Sequence, residues 1–170
     1  EMSRIPTDVQ WVKPQGKNDP ISMHKHFSIV PRGLSLMIGC STFPTWNSYP
    51  GMFASLATGN AVIVKPHPSA ILPLAITVRI AREVLREAGF NPDVVTLAVH
   101  DANEGTAQEL ALRPEVKIID FTGSNANGTW LENNARQAQV YTEKSGVNQI
   151  VIDSAEDLKG VARNIAFSLA

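Results

Sequence analysis

The sequence predicts an α/β fold, an open parallel sheet with helices on both faces. Strand-like and helix-like segments alternate along most of the 170 residues, and such alternation is typical of βαβ units. An unbroken apolar run that ends at Lys65 indicates a strand buried on both faces. With 44% hydrophobic residues, a chain of this length can bury its own core as one domain.

Apolar spacing and turn residues place the individual elements. Residues 1–27 carry three prolines and Gly16 among polar residues and are predicted to be an extended lead-in. Residues 28–170 are predicted to form the folded domain. We expect strands at 26–30, 34–40, 61–65, 94–98, 116–121, 139–143 and 148–153, and helices at 49–59, 69–89, 104–112, 124–136 and 155–169.

The helix predicted at 69–89 has the clearest pattern. Its apolar residues recur at helical spacing from Ile71 to Leu85, as expected of a helix with one buried face. Pro73 is tolerated only in the first turn, and Gly89 is placed to cap the C-terminus.

Charge and cysteine content exclude several functional classes. Lysine plus arginine number 15 against 16 acidic residues, so nothing favours nucleic acid or an anionic membrane as a partner. No apolar run approaches the roughly 18 residues of a membrane span. The single cysteine, Cys40, suits a reducing compartment, and we expect a cytoplasmic protein with Cys40 as a buried, inert thiol. His24 and His26 have no third ligand in view, so we predict no metal site.

Both ends of the chain are unusual. The chain begins at Glu1 rather than methionine, in a stretch without the apolar core of a signal peptide. It stops at "VARNIAFSLA", a helical pattern without a terminal glycine, proline or basic last turn. Helices usually end with such a signal, so we expect the chain to be a segment of a longer protein.

Ligands of open parallel sheets bind beyond the carboxyl ends of the strands. Residues at or just after the predicted strand ends are therefore the candidates for chemistry. They are Trp46 and Asn47, Lys65 and His67, Gly123 and Ser124, and Glu143.

Most of these candidates have a structural interpretation beside a functional one. Asn47 either caps the following helix or donates its amide N–H to a developing oxyanion. Lys65 is either a lysine at the sheet rim or a donor to ribose hydroxyls or a phosphate. Ser124 is either an ordinary N-cap, which the pattern alone favours, or part of a phosphate site with Gly123. Glu143 is either a solvated charge or a general base.

Four motifs in this order and spacing resemble the aldehyde dehydrogenase superfamily. They are "PTWN", "SLATGNAVIVKP", "FTGS" and "TEKSG". The resemblance covers residues 28–170 and implies a Rossmann-like dinucleotide-binding domain, although no GxGxxG follows a strand. It also implies that the chain ends before the catalytic domain, and that residues 1–27 belong to an oligomerisation arm. There "MHKHFSIV" would be half of a hairpin whose partner strand is not identified. The stretches "GCSTFPTWNSYPG", "IVKPHP" and "ARQAQVYTEKSGVN" are most similar to the phenylacetic-acid-degradation branch.

The resemblance implies a role for each candidate. Asn47 would be the side-chain donor of an oxyanion hole, and Glu143 would activate the water that hydrolyses a thioester. Lys65 would contact the adenosine ribose or its 2′-phosphate. The remaining positions would bind the cofactor: Trp46 beside the amide, and Gly123 and Ser124 under the pyrophosphate and nicotinamide ribose.

Three departures from the superfamily pattern matter. Pro68 replaces the glutamate of many NAD-preferring members, so either NADP or NAD is expected, with His67 as a helper for a 2′-phosphate. Ser145 stands where a glycine is usual, which affects close approach of the cofactor. The nucleophilic cysteine of the superfamily lies beyond the glutamate, and no cysteine follows Cys40. We therefore expect this segment alone to be inactive.

The function implied by the resemblance is NAD(P)-dependent oxidation of a small-molecule aldehyde to a carboxylic acid, through a thiohemiacetal and a thioester. The pathway implied is phenylacetate or aromatic catabolism, and the full-length protein is expected to be a homo-oligomer. Two alternatives stay open. One is a dinucleotide-binding module without catalysis. The other is a CoA-acylating aldehyde dehydrogenase, against which Glu143 argues because that route needs no water-activating base.

Overall fold

The structure is a computed structural model that describes residues 6–16, 18–101, 104–147 and 149–169. The strands are β1 (Asp8–Gln15), β2 (Asn18–His26), β3 (Leu34–Ile38), β4 (Ala61–Lys65), β5 (Val95–Leu97), β6 (Val116–Gly123) and β7 (Gln139–Lys144). The helices are α1 (Pro44–Ala57), α2 (Ile71–Glu87), α3 (Thr106–Ala111), α4 (Asn125–Asn134) and α5 (Leu158–Leu169), and a 3₁₀ turn at Pro92–Val94 leads into β5.

The predicted parallel sheet with helices on both faces is confirmed. Five strands pair in the order β5-β4-β3-β6-β7, and every pair is parallel. One face packs against α1 and α2, and the other against α3 and α4. Because side chains alternate along a strand, Met37 joins the core on the α1–α2 face, whereas Leu36 and Ile38 join the core on the α3–α4 face.

Helix ends follow the chemistry of their residues. Gly59 and Gly89 come just after the C-caps of α1 and α2 with φ of 81° and 79°. That left-handed conformation costs glycine nothing. Pro73 lies in the first turn of α2 as predicted. The helix predicted at 49–59 begins earlier, because Pro44 provides a preformed first position for α1.

The lead-in is more ordered than the sequence indicated. β1 and β2 form a separate antiparallel hairpin, in which Trp11 is paired with Met23 and Asp8 with His26. The strand predicted at 26–30 is wrong beyond His26. The partner strand missing from the sequence analysis is β1. Its described side chains and those of β2 are all exposed, so no buried face marked these strands in the sequence.

The strand predicted at 148–153 is also wrong. Residue 148 lies outside the described residues, and residues 149–153 form no strand. Val151 is 90% exposed and Ile150 is 65% exposed. An apolar run becomes a strand only where a neighbouring strand offers backbone hydrogen bonds, and this run has no such neighbour among the described residues.

Candidate active site

A cleft of about 580 Å³ opens at the carboxyl edge of the sheet, on the face covered by α3 and α4. Its walls come from the ends of β3, β4 and β6, the segment before α3, and the first turns of α4. The structure brings four predicted residues together in its lining: Lys65, His67, Gly123 and Ser124. The volume lies within the roughly 300–1,000 Å³ typical of small-molecule and cofactor sites.

Lys65 is the buried cation of this cleft. Its side chain ends β4 on the α3–α4 face and is 4% exposed. Its Nζ donates to the carbonyl of Pro66 at 3.3 Å, and burial lowers the pKa of the ammonium group. One carbonyl satisfies only one of three N–H donors, so an anionic or hydroxyl-bearing ligand would relieve the cost of burying this charge.

The N-terminus of α4 forms another wall. Ser124 is its N-cap, and its Oγ accepts from the backbone N–H of Asn127 at 3.3 Å, which confirms the capping interpretation. The first N–H groups of a ten-residue helix still favour an anion there. Gly123 has a packing reason of its own, since a Cβ would lie 2.7 Å from the Phe121 ring.

Asn47 and Glu143 meet on the opposite face of the sheet. Asn47 lies in the first turns of α1, and its Nδ2 donates to Glu143 Oε2 at 2.8 Å. The hydroxyl of Thr122 donates to the same carboxylate oxygen at 3.3 Å. The helix-cap interpretation of Asn47 is wrong, because Phe43 occupies the cap position of α1.

Two residues connect this pair with the cleft. Thr122 lines the cleft while donating to Glu143. Cys40 also lines the cleft, and its Sγ lies 3.8 Å from Asn47 Oδ1. Cys40 is partly exposed, so the expectation of a buried thiol is wrong. An amide, a carboxylate and a hydroxyl thus stand at the same sheet edge as Lys65.

Asp120 is a half-buried acid that the sequence analysis missed. Burial, and secondarily the negative charge of Glu143, raise its pKa to about 6. It shares the α1 face with Thr122 and packs against Gly51, where an added Cβ would lie 1.9 Å from Asp120 Oδ2. The signal was a charged residue inside a predicted buried strand, which is rare without a local reason.

The structure does not bring every candidate into the cleft. Trp46 is 80% exposed and is not among the lining residues. Conversely, His100 and Glu104 line the cleft and were missed. Both follow β5, so applying the strand-end rule to the strand predicted at 94–98 finds His100.

Neither a metal-binding cluster nor a membrane-spanning helix is present among the described residues. No group of three or more histidine, cysteine, aspartate or glutamate side chains lies close enough there to hold a metal ion. Likewise, no helix among those residues is both long and apolar enough to cross a membrane.

Comparison with known proteins decides the family. The profile of the family described as "Aldehyde dehydrogenase family" matches residues 10–170. The chain belongs to this family. The fold is also that of the crystal structure of an NAD-dependent aldehyde dehydrogenase from Burkholderia multivorans, with a TM-score of 0.82 and 71% identity over 99% of this chain and 30% of that chain.

Two less similar proteins also match most of this chain. A glyceraldehyde-3-phosphate dehydrogenase, GapN, from Methanocaldococcus jannaschii, crystallised with NADP, has a TM-score of 0.68 and 26% identity over 82% of this chain and 29% of that chain. The 1-pyrroline-5-carboxylate dehydrogenase of Bacillus thuringiensis (strain Al Hakam) is 29% identical over 85% of this chain and 29% of its own length. The chain therefore spans under a third of these relatives.

Proposed function

We propose that this chain is the cofactor-binding part of an NAD(P)-dependent aldehyde dehydrogenase that oxidises an aldehyde to a carboxylic acid. The main support for this proposal is that the Asn47–Glu143 pair and the cleft lined by Lys65 lie at the same edge of the sheet. A site for binding alone needs the cleft but not the pair. Membership of the aldehyde dehydrogenase family supports the same assignment.

The cleft fits a dinucleotide in size and in its donor groups. Lys65 and His67 would hold the adenosine ribose, and the N-terminus of α4 at Ser124 would face the pyrophosphate. A bound nicotinamide ring would accept hydride from the substrate carbon. Thr122 and Cys40 line the part of the cleft that borders the Asn47–Glu143 pair, so the reactive end of the cofactor belongs there.

Asn47 and Glu143 would act in successive half-reactions. A thiolate from outside these 170 residues would attack the aldehyde carbon and form a thiohemiacetal, and the Asn47 amide N–H would stabilise the resulting oxyanion. After oxidation to a thioester, Glu143 would take a proton from water as that water attacks the acyl carbon. The acid and the free thiol are the products. Thr122 would hold the Glu143 carboxylate in position.

The substrate class and cellular setting are narrower parts of the proposal. The stretches "GCSTFPTWNSYPG" and "ARQAQVYTEKSGVN" support a role in phenylacetate or aromatic catabolism. A cytoplasmic location is supported by the presence of a single cysteine among these 170 residues.

The β1–β2 hairpin supports a homo-oligomer. A two-stranded hairpin is marginally stable alone, and one of its faces carries the exposed apolar side chains Val9, Trp11, Ile21 and Met23. We propose that this face packs against a second copy of the protein. Trp11→Glu should reduce the mass of the full-length protein measured by light scattering, whereas His24→Glu on the other hairpin face should not. An unchanged mass for Trp11→Glu would argue against the arm.

Cofactor titration tests the central proposal. Trp130 lines the cleft, so its fluorescence should be quenched as NAD+ or NADP+ binds. Lys65→Met keeps the length of the side chain but removes its charge, and should weaken binding at least about tenfold, as loss of a charge-assisted hydrogen bond does. Lys159→Met, at an exposed position in α5, is the matched control and should bind normally. Failure of the wild-type protein to bind either dinucleotide would refute the proposal.

A further inference from the structure

Two histidines line the cleft, and their hydrogen-bond partners hold them in opposite tautomers. At His67 the backbone N–H of Ser69 donates to Nδ1 at 3.2 Å. That nitrogen therefore carries no proton, and the neutral ring has its N–H at Nε2. The Oγ of Ser69 lies 2.7 Å from the same Nδ1, which further fixes the ring. His67 therefore offers a hydrogen-bond donor.

His100 is held in the other tautomer. Its Nδ1 lies 2.6 Å from the carbonyl oxygen of Asp101, and a carbonyl only accepts, so Nδ1 carries the proton. The lone pair of the neutral ring is then at Nε2. This nitrogen is buried and has no hydrogen-bond partner among the described residues. Buried polar atoms without partners are uncommon, and the His100 ring lines the cleft, so a ligand donor that reaches Nε2 would supply the missing hydrogen bond.

The strand order places His100 at the adenosine end of the cleft. β5 is the edge strand beside β4, so His100 follows the strand next to the one that ends at Lys65. The Asn47–Glu143 pair lies at the other end of the sheet, where β6 and β7 pair. A dinucleotide with its reactive ring near Thr122 would therefore have its adenosine near Lys65 and His100.

A carboxylate stands at the same end. Glu104 is the only acidic residue in the described lining of the cleft. Its Oε2 accepts from the backbone N–H of Asp101 at 3.3 Å, which ties it to the loop that carries His100. This end of the cleft thus offers donors from Lys65 and His67, and acceptors from His100 and Glu104.

We infer that His100 accepts a hydrogen bond from the 2′-hydroxyl of the adenosine ribose, which NADP+ lacks, and thereby selects NAD+ over NADP+, an inference that rests on the proposed function. A vicinal diol can donate and accept at once, so it can satisfy His100 and Lys65 together. An ionised 2′-phosphate only accepts, and its charge would be repelled by Glu104. Pro68 stands where many NAD-preferring members have an accepting glutamate. His100, which follows β5, would supply the acceptor instead.

The test measures affinities of NAD+ and NADP+ by Trp130 fluorescence for the wild-type protein and His100→Phe, which keeps a ring but removes the acceptor. We expect the wild-type protein to favour NAD+. His100→Phe should weaken NAD+ binding about fivefold, as expected for one neutral hydrogen bond, and leave NADP+ binding nearly unchanged. His100→Gln retains an accepting oxygen and should keep most of the preference. His24→Phe, in the hairpin, should change neither affinity.

Three results with NAD+ and NADP+ would overturn the inference, and a fourth comes from an adenine-modified dinucleotide. They are a wild-type preference for NADP+, equal losses for both dinucleotides in His100→Phe, and no loss for either. Nicotinamide hypoxanthine dinucleotide lacks the adenine amino group. If it binds the wild-type protein as weakly as NAD+ binds His100→Phe, the donor is that amino group and the ribose assignment is wrong.

Circular dichroism checks that the variants are folded, and His100→Gln is used for the test if His100→Phe is unfolded. Loss of all dinucleotide binding by the wild-type protein would instead refute the proposed function.

Discussion

The Nδ2 amide of Asn47 donates to Glu143 Oε2 at 2.8 Å and so joins α1 to β7 across 96 residues of sequence. This bond holds the proposed oxyanion donor and the proposed general base together before any substrate is present. The Asn47 amide keeps a second N–H and the Glu143 carboxylate a second oxygen, so each group still has an atom free for a substrate. The bond therefore keeps the amide hydrogen-bonded while no oxyanion exists and orients the carboxylate beside Thr122.

Removing the Asn47 amide tests its role as an oxyanion donor. In the full-length enzyme, Asn47→Ala should lower kcat by about 100- to 1,000-fold, the usual loss for one such donor. Steady-state kinetics with a saturating aldehyde measures this. Asn133→Ala, on the exposed side of α4, is the control and should leave kcat unchanged. A near-normal kcat for Asn47→Ala would contradict the assignment.

Replacing Glu143 by glutamine tests the assignment of the general base. Glu143→Gln in the full-length enzyme should slow thioester hydrolysis more than reduction of the cofactor, because only hydrolysis needs a base for water. Stopped-flow absorbance should then show a fast burst of reduced cofactor followed by slow turnover. Glu115→Gln, an exposed glutamate, is the matched control. Equal slowing of burst and turnover would count against this role.

Asp120 predicts a pH dependence of stability. Its pKa is raised from 3.8 to about 6 in the folded protein, so between these pH values the folded state binds more protons than the unfolded chain. Stability is therefore lost as pH rises from about 4 to about 6. Asp120→Asn should raise the free energy of unfolding by about 1 kcal/mol near pH 8, a figure reduced for solvent screening. It should have little effect near pH 4.

Urea denaturation at both pH values measures this difference. Asp153→Asn replaces an exposed aspartate and serves as the control, with little change expected at either pH. An equal gain for Asp120→Asn at both pH values would mean that titration of Asp120 is not the cause.

Gly51 lies in a helix, yet its replacement by alanine is expected to destabilise the protein. Alanine is usually favoured over glycine inside a helix by about 1 kcal/mol. At Gly51, however, the new Cβ would lie 1.9 Å from Asp120 Oδ2. Gly51→Ala should therefore destabilise the protein by about 1–3 kcal/mol, as overpacking does.

A double-mutant cycle identifies the cause. Combining Gly51→Ala with Asp120→Ala should recover most of the loss measured by urea denaturation, because the clashing carboxylate is gone. Gly105→Ala adds a Cβ in open space, with its nearest atom 4.0 Å away, and should cost little. Additive effects of the two substitutions would contradict the proposed clash.

Much of the fold could be predicted because its signals are local. The apolar run before Lys65 and the glycines after α1 and α2 fixed strands and helix ends. The hairpin could not be predicted in the same way, since its strands bury no face and its stability depends on contacts outside themselves. For the same reason, the exposed run around Val151 was mistaken for a strand.

The sequence predicted which site residues lie at the carboxyl edge of the sheet, but not how they are arranged there. The strand-end rule placed Lys65, Gly123 and Glu143 at that edge. Which face each side chain occupies depends on its position in the strand, and the bond between Asn47 and Glu143 depends on how α1 packs on β6 and β7. Those are tertiary facts that no single segment encodes.

The cleft proposed to bind the cofactor and the Asn47–Glu143 pair occupy opposite faces of one sheet and are linked through Thr122 and Cys40. Mutations in the α3–α4 wall can therefore change which dinucleotide binds without disturbing the packing of α1. Natural selection could tune electron-carrier preference and reaction chemistry separately in descendants of this domain. Protein engineers could likewise alter the cleft and the Asn47–Glu143 pair independently of each other.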